Sequence, residues 1–226
     1  MRAPMSVVIP TLNAEAALAV CLPGLFEGVQ AGMIRELIVV DGGSDDGTVV
    51  LAQDAGATVI ETKPSRGAQL RRGCDVAKGE WLLVLHADSC LQDGWTNIVQ
   101  AHLGQHRAGF FKLRFEGGGV MAAMVSGWAN LRSRVFGLPF GDQGLLISRK
   151  LYEDVGGYPE FAVMEDVAMA RALSGCLVAL DCRITTSAER YHEQGWLRRG
   201  ARNMLLQLRF LAGASPEKLA RVYRKR

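Results

Sequence analysis

The 226-residue chain is poor in proline and cysteine, with 7 Pro and 5 Cys. So little proline excludes a Pro-rich linker or an extended polyproline segment. The cysteines, Cys21, Cys74, Cys90, Cys176 and Cys182, are odd in number and contain no C-x-x-C pair. That pattern argues against a disulfide framework or a structural zinc site, and packed, inert thiols in a reducing cytoplasm are expected. No run of 18 uncharged apolar residues exists, which excludes a spanning helix. The apolar stretch at Met5–Ile9 is too short for a signal-peptide core and is broken by Pro10. Hydrophobic residues make up 49% and charged residues 22%, a globular composition that excludes disorder, collagen and coiled coil. The 26 Gly point to many tight turns. A chain of this length suits a single domain, here 1–226.

Net charge is +3, unevenly distributed. From Arg183 onward there are 11 Lys/Arg against 3 Asp/Glu, whereas the first 182 residues hold 15 against 20. A basic tail on an acidic body suggests an anionic partner, with membrane phosphate, nucleic acid and a diphosphate ligand as candidates.

Short apolar runs alternate with helical patterns through the first half. Strands are predicted at 5–9, 36–40, 58–61, 81–85 and 109–115, and helices at 14–29, 48–55, 66–77 and 92–103. Such alternation signals βαβ units and a parallel sheet. After Gly117-Gly118-Gly119 a helix is predicted over 120–135, a strand over 144–148, a helix over 163–173, a strand over 177–184 and helices over 196–211 and 215–223.

Polar residues fall at the carboxyl ends of the predicted strands. The first ends in Pro10-Thr11-Leu12-Asn13, the second in Asp41-Gly42-Gly43-Ser44-Asp45-Asp46-Gly47-Thr48, and the Trp81 strand in His86-Ala87-Asp88-Ser89. In a parallel sheet these ends share one edge, where open α/β folds bind ligands. Any one of these residues also fits a turn or a helix cap; together, beside a Gly-rich loop, Asn13, Asp41 and Asp88 favour a site. G-x-G-x-x-G, the P-loop, G-x-S-x-G and the EF-hand loop are all absent. A carboxylate-lined edge repels phosphate unless a divalent cation intervenes, so a nucleotide-diphosphate ligand implies Mg²⁺ or Mn²⁺ at Asp88. Glu165-Asp166 opens a predicted helix; it fits acids at a positive helix terminus or a general base for an acceptor hydroxyl, and the pair alone does not separate these.

Taken in order, Val7-Val8-Ile9-Pro10-Thr11-Leu12-Asn13, Val39-Val40-Asp41-Gly42-Gly43-Ser44-Asp45-Asp46-Gly47-Thr48, Leu85-His86-Ala87-Asp88-Ser89 and Glu165-Asp166 resemble the family-2 glycosyltransferases of the GT-A fold. The match extends over roughly the first 185 residues. Ser187-Ala188-Glu189-Arg190 and the basic helix after Gly195 resemble a small bacterial subgroup often labelled for arsenosugar biosynthesis. The resemblance implies an α/β fold, a mostly parallel Rossmann-like sheet sandwiched by helices. It implies an inverting transferase with a nucleotide-sugar donor, an unidentified hydroxyl acceptor and no nucleic-acid partner. Pro10, Thr11, Asn13, Asp41, Ser44, Arg66, Arg71 and Asp88 would hold the nucleotide sugar, with Asp41 at the base or ribose. Asp88 would bind the metal, Asp166 would act as base with Glu165 beside it, and Asp142 and Gln143 would meet the sugar or acceptor. The sequence departs from the family at Gly42, where a second Asp is common, at Arg71, near a usual Asn, and at His86. His86 stands where the metal motif has its first Asp, and reads as a core residue rather than a ligand. A nucleotidyltransferase and a non-catalytic nucleotide-sugar-binding protein remain as alternative readings.

The tail carries Trp196, Leu197, Met204, Leu205, Leu208 and Leu211 at helical spacing, with Arg198, Arg199, Arg202 and Arg209 between them. The simpler expectation is a core-packed helix with a solvated basic face in a cytoplasmic protein. The second is peripheral contact with an anionic membrane at its inner face.

Overall fold

A computed structural model describes residues 3–224; Lys225 and Arg226, the end of the basic tail, lie outside the described residues. The chain runs β1 (Met5–Thr11), α1 (Glu15–Cys21), α2 (Phe26–Gln30), β2 (Ile34–Asp41), α3 (Thr48–Asp54), β3 (Thr58–Glu61), α4 (Arg66–Val76), β4 (Trp81–Val84), β5 (Ser89–Leu91), α5 (Trp95–His102) and β6 (Ala108–Phe115). It continues with α6 (Gly119–Phe136), β7 (Leu145–Ser148), α7 (Arg149–Asp154), α8 (Glu165–Ala172), β8 (Leu177–Thr186), α9 (Glu189–Gln194), α10 (Trp196–Leu211) and α11 (Pro216–Arg224).

The strands form one sheet in the order β3-β2-β1-β4-β7-β6-β8-β5. β3, β2, β1 and β4 are mutually parallel, as are β6 and β8, while β7 and β5 pair antiparallel to their neighbours. Successive side chains point to opposite faces. Thus Met5, Val7 and Ile9 join the layer under Leu18 and Trp95, while Val8, Ile38 and Val40 face Leu70 and Cys74 of α4. Burial on both faces explains why β1 reads as a continuous apolar run. α4 lies close on the sheet because Gly73 has no side chain; a Cβ there would meet Val8 and Val40.

The helix predicted over 14–29 is instead α1, a 3-10 turn at Leu22–Leu25, and α2. Pro23 lacks an N–H and clashes with a preceding carbonyl, which breaks the helix. Gly28 is required beyond the break, because the indole of Trp95 occupies the space of a Cβ. β5, α7 and α9 have no counterpart among the predicted elements. β5 is only three residues long and exists by pairing with β8. α7 begins where Ser148 Oγ accepts from Leu151 N at 3.2 Å, an N-cap that outweighs a weak periodicity.

Two expectations are corrected. Cys21 and Cys90 form a disulfide, with Cα atoms 4.6 Å apart, joining the end of α1 to β5; Cys74, Cys176 and Cys182 are free. Sequence spacing carried no sign of the pair because 69 positions separate the two cysteines and the fold brings them together. The apolar stripe of α10 is core-packed only at Trp196, which lies on Phe115: Leu197, Met204, Leu205, Leu208 and Leu211 are exposed, and the buried residues of that helix are Leu206 and Gln207. No helix among the described residues is long and apolar enough to cross a membrane.

Candidate active site

The carboxyl ends of β1, β2 and β4 lie side by side, as their register requires. At the β1–β2 end, Asp41 is buried and organises the following loop. One carboxylate oxygen accepts from Thr11 Oγ1 at 2.8 Å and Ser44 Oγ at 2.6 Å; the other accepts from Gly43 N at 2.9 Å and Ser44 N at 2.7 Å. Burial opposes its charge, but the bonds from Ser44, Thr11 and Gly43 prevail and hold its pKa below the usual value. Four bonds fill the lone pairs of a carboxylate, so contact with a base or ribose requires Asp41 to release one. Asn13 belongs to the same knot: its N–H donates to Ser44 Oγ at 2.8 Å and its Oδ1 accepts from Asp45 N at 2.9 Å. Pro10 is half-buried on β1. Gln69 of α4 completes this end, its amide donating to the carbonyls of Thr11 and Val40, both at 2.8 Å.

The second group gathers at the end of β4. His86 and Asp88 follow the strand, Arg66 opens α4, Glu165 and Asp166 open α8, and the 3-10 turn Gly141–Gln143 precedes β7. Gly141 N donates to Asp166 Oδ2 at 2.8 Å. His86 packs directly on Gly141, where a Cβ would collide with its ring. Arg66 lies 3.6 Å from Glu165. Burial disfavours the guanidinium charge, but Glu165, Tyr223, Asp166 and Asp88 outweigh it, so Arg66 stays firmly cationic. Burial, with Arg66 and Arg190 nearby, pushes His86 well below its ordinary value and leaves the imidazole neutral.

Two carboxyls here are displaced towards neutrality. Glu165 is 1% exposed, and burial pushes it up to about 7, with Asp166 adding and Arg66 opposing. Asp142 also rises to about 7, through burial and then the charges of Asp88 and Asp166, against Arg132 and Arg66. The charges of Asp88 and Asp166 therefore reach both Asp142 and Arg66, which puts the four side chains around a single crevice.

Among the described residues, Asn13 and Met164 are the non-glycine positions with positive φ, at 48° and 67°. Both adjoin the crevice, and a Met in the left-handed region stores strain just before Glu165-Asp166.

Two expected site residues lie elsewhere. Gln143 is fully buried; its Oε1 accepts from Ser133 Oγ at 2.6 Å and Phe140 N at 3.2 Å, and its Nε2 donates to Phe111 O at 3.2 Å and Asn130 Oδ1 at 3.3 Å. It braces the turn and has no capacity left for a sugar or acceptor. Arg71 donates to the carbonyls of Tyr158 at 2.8 Å and Gly156 at 3.2 Å, holding that loop against α4 rather than facing the crevice.

Two participants carry no motif. Gln69 is a polar residue on the buried side of α4. Arg132, an arginine within a mostly apolar helix, is buried, its guanidinium 3.5 Å from the Phe140 ring centre, with Nε and Nη2 lacking hydrogen-bond partners.

The description "Glycosyl transferase family 2" matches residues 6–133. A PGL/p-HBAD biosynthesis glycosyltransferase of Mycobacterium bovis (strain BCG / Pasteur 1173P2) is 38% identical over 115 residues, 47% of this chain and 44% of that protein. The chain thus spans less than half the length of the curated relatives it matches first, and they are named for PGL/p-HBAD rather than arsenosugar biosynthesis. A mannosyltransferase from Pyrobaculum calidifontis, solved with GDP-Man and Mn²⁺, superposes with TM-score 0.69 at 18% identity, covering 95% of this chain and 66% of that one. S. aureus TarS with UDP-GlcNAc gives TM-score 0.64 at 15% identity, covering 81% and 58%. The fold is thus the expected GT-A arrangement, and the chain belongs to glycosyl transferase family 2.

Proposed function

We propose that the chain, as one unit over 1–226, moves a sugar from a nucleoside-diphosphate sugar to an acceptor hydroxyl with inversion at the anomeric carbon. The observation that carries this reading is the gathering of Arg66, Asp88, Asp142 and Asp166 at the carboxyl edge of a parallel sheet. The nucleoside lies at the end built by Pro10, Thr11, Asn13, Asp41 and Ser44. Arg66 supplies fixed positive charge for the diphosphate. Asp166, oriented by Gly141 N, takes the acceptor's proton as its oxygen bonds to the anomeric carbon and the diphosphate leaves with the electron pair of the broken C–O bond. Asp142 meets the sugar or acceptor, and Glu165 holds Arg66 in place.

A divalent cation, Mg²⁺ or Mn²⁺, fits the donor set. Asp88 offers a carboxylate, and half-buried Asp142 nearby has one buried oxygen without a hydrogen-bond partner. No group of three His, Cys, Asp or Glu among the described residues is arranged to hold an ion alone. Asp88 would be the residue that holds such an ion. When bound, such an ion supplies charge that stabilises the departing diphosphate.

The test is incubation with UDP- and GDP-sugars and Mn²⁺, following nucleoside-diphosphate release and the anomeric configuration of the product. A nucleotidyltransferase would instead release pyrophosphate from a nucleoside triphosphate. A binding protein would show only a ligand-dependent rise in stability, about 2.7 kcal/mol at a hundredfold excess over Kd, without turnover.

A further inference from the structure

α6 is built inside out for a helix meeting water. Its buried side carries small residues, Ala122, Ser126, Ala129 and Ser133, and Asn130 bonds to both backbone groups of Leu113 on β6. Its outer side carries Val120, Met124, Trp128, Leu131, Val135 and Phe136, each at least half exposed. A solvated helix places polar residues on that side. Here Arg134 is the charged residue among them.

α10 runs alongside in the same direction. A Cβ at Gly118, before α6, would strike the ring of Trp196 at the start of α10, and further along Arg132 Nη1 donates to Gln207 Oε1 at 3.2 Å. The exposed row of α10, Leu197, Met204, Leu205 and Leu208, therefore adjoins that of α6. A contiguous apolar surface of this kind marks an interaction site. Neither helix contains an Asp or Glu, and exposed Arg134, Arg198 and Arg209 lie among the apolar residues. Exposed Lys218 and Arg221 on α11 extend the positive field.

We infer that the joint α6–α10 face docks on an anionic lipid surface, with the apolar rows entering the headgroup–acyl boundary and the arginines meeting lipid phosphates. Apolar area and basic charge are the two components of interfacial helix binding, and Trp128 suits the boundary layer. The charge argues against a second copy of the chain, since a two-fold contact sets the same patch against itself and would oppose arginine to arginine.

The experiment is flotation of the purified chain with vesicles of phosphatidylcholine alone or with one-quarter phosphatidylglycerol, at about 0.1 M and 0.5 M NaCl. The expected result is flotation with the anionic vesicles at low salt, falling at least ~10-fold with neutral vesicles or high salt. Trp128→Ser/Leu131→Ser and Arg198→Gln/Arg209→Gln should each reduce partitioning by a similar factor while unfolding at the wild-type temperature. Val50→Ser, an exposed apolar residue of α3, should float like wild type. Failure of the wild type to float with anionic vesicles overturns the inference, as does unchanged flotation of both double variants. A wild-type dimer in sedimentation that Trp128→Ser/Leu131→Ser dissociates would give the patch to a second copy instead.

Discussion

Replacing Glu165 by Gln isolates the most deeply buried acid of the crevice. Both Glu165 oxygens lack hydrogen-bond partners, and Arg66 lies 3.6 Å away. Its pKa rises from 4.5 to about 7, chiefly through burial. A raised carboxyl binds more protons folded than unfolded, so its contribution to stability is full below the unfolded value and is lost as pH rises through the folded one. At 1.36 kcal/mol per unit the whole displacement is worth roughly 3 kcal/mol, of which about 2–3 kcal/mol falls between pH 5 and 8. The wild-type curve is a composite: Asp142 acts with the same sign, and neutral His86, depressed by burial, acts oppositely below its ordinary 6.5. The difference between variant and wild type cancels those contributions. Urea unfolding at pH 5, 6, 7 and 8 should show Glu165→Gln gaining on wild type by about 2–3 kcal/mol across the series. Parallel curves would show that Glu165 ionises normally and would refute the reasoning.

Asp166→Asn should lower single-turnover transfer by about 10²–10⁴-fold, the usual range for a lost general base, while equilibrium dialysis finds donor binding little changed; wild-type turnover in the variant would remove Asp166 from the reaction. Asp88→Ala should weaken Mn²⁺-dependent nucleotide binding in titration calorimetry and spare the metal-free component, and equal loss of both would contradict its assignment to the metal. Gly67→Ala should destabilise the fold by roughly 1–3 kcal/mol in denaturant unfolding. The new Cβ meets the backbone of Pro159 and Phe161, which has little room to yield, and an unchanged midpoint would disprove that packing.

The sheet was legible where local pattern and tertiary environment agree. β1, β4 and the second half of β2 are β-branched or leucine-rich runs because both their faces are covered, β3 is a β-branched edge strand, and the predicted limits of all four fall within a few residues of the observed strands. Legibility failed where partners are distant in sequence. β5 is a strand only because β8 lies beside it, and Cys21 reaches Cys90 only through the packing of α1 against β5. The helical period of α10 was visible, but the face it turns to the body was not. Periodicity identifies an apolar stripe without saying whether another element covers it.

The motifs located the crevice without dividing the labour inside it. Asp41, Asn13 and Ser44 all fell at the predicted edge, yet they are tied to one another and shape a loop. Gln143 is spent on the turn and Arg71 on the loop after α7. What distinguishes a tied residue from an available one is its count of filled hydrogen bonds, which depends on neighbours tens of residues away. By that measure Asp88, Asp142 and Arg66 are the groups best placed to gain from a ligand. Asp142 retains an unpartnered buried oxygen, and its displacement to about 7 records burial and the charges of Asp88 and Asp166, which Arg132 and Arg66 offset only in part. A cation brought beside Asp88 would restore Asp142 to the charged form and expel a proton. Metal-dependent nucleotide binding near pH 7 should therefore release protons, seen as heats that vary with the ionisation enthalpy of the buffer. Asp142→Asn should reduce that variation by the share of the proton that Asp142 supplies, and an unchanged variation would contradict the assignment.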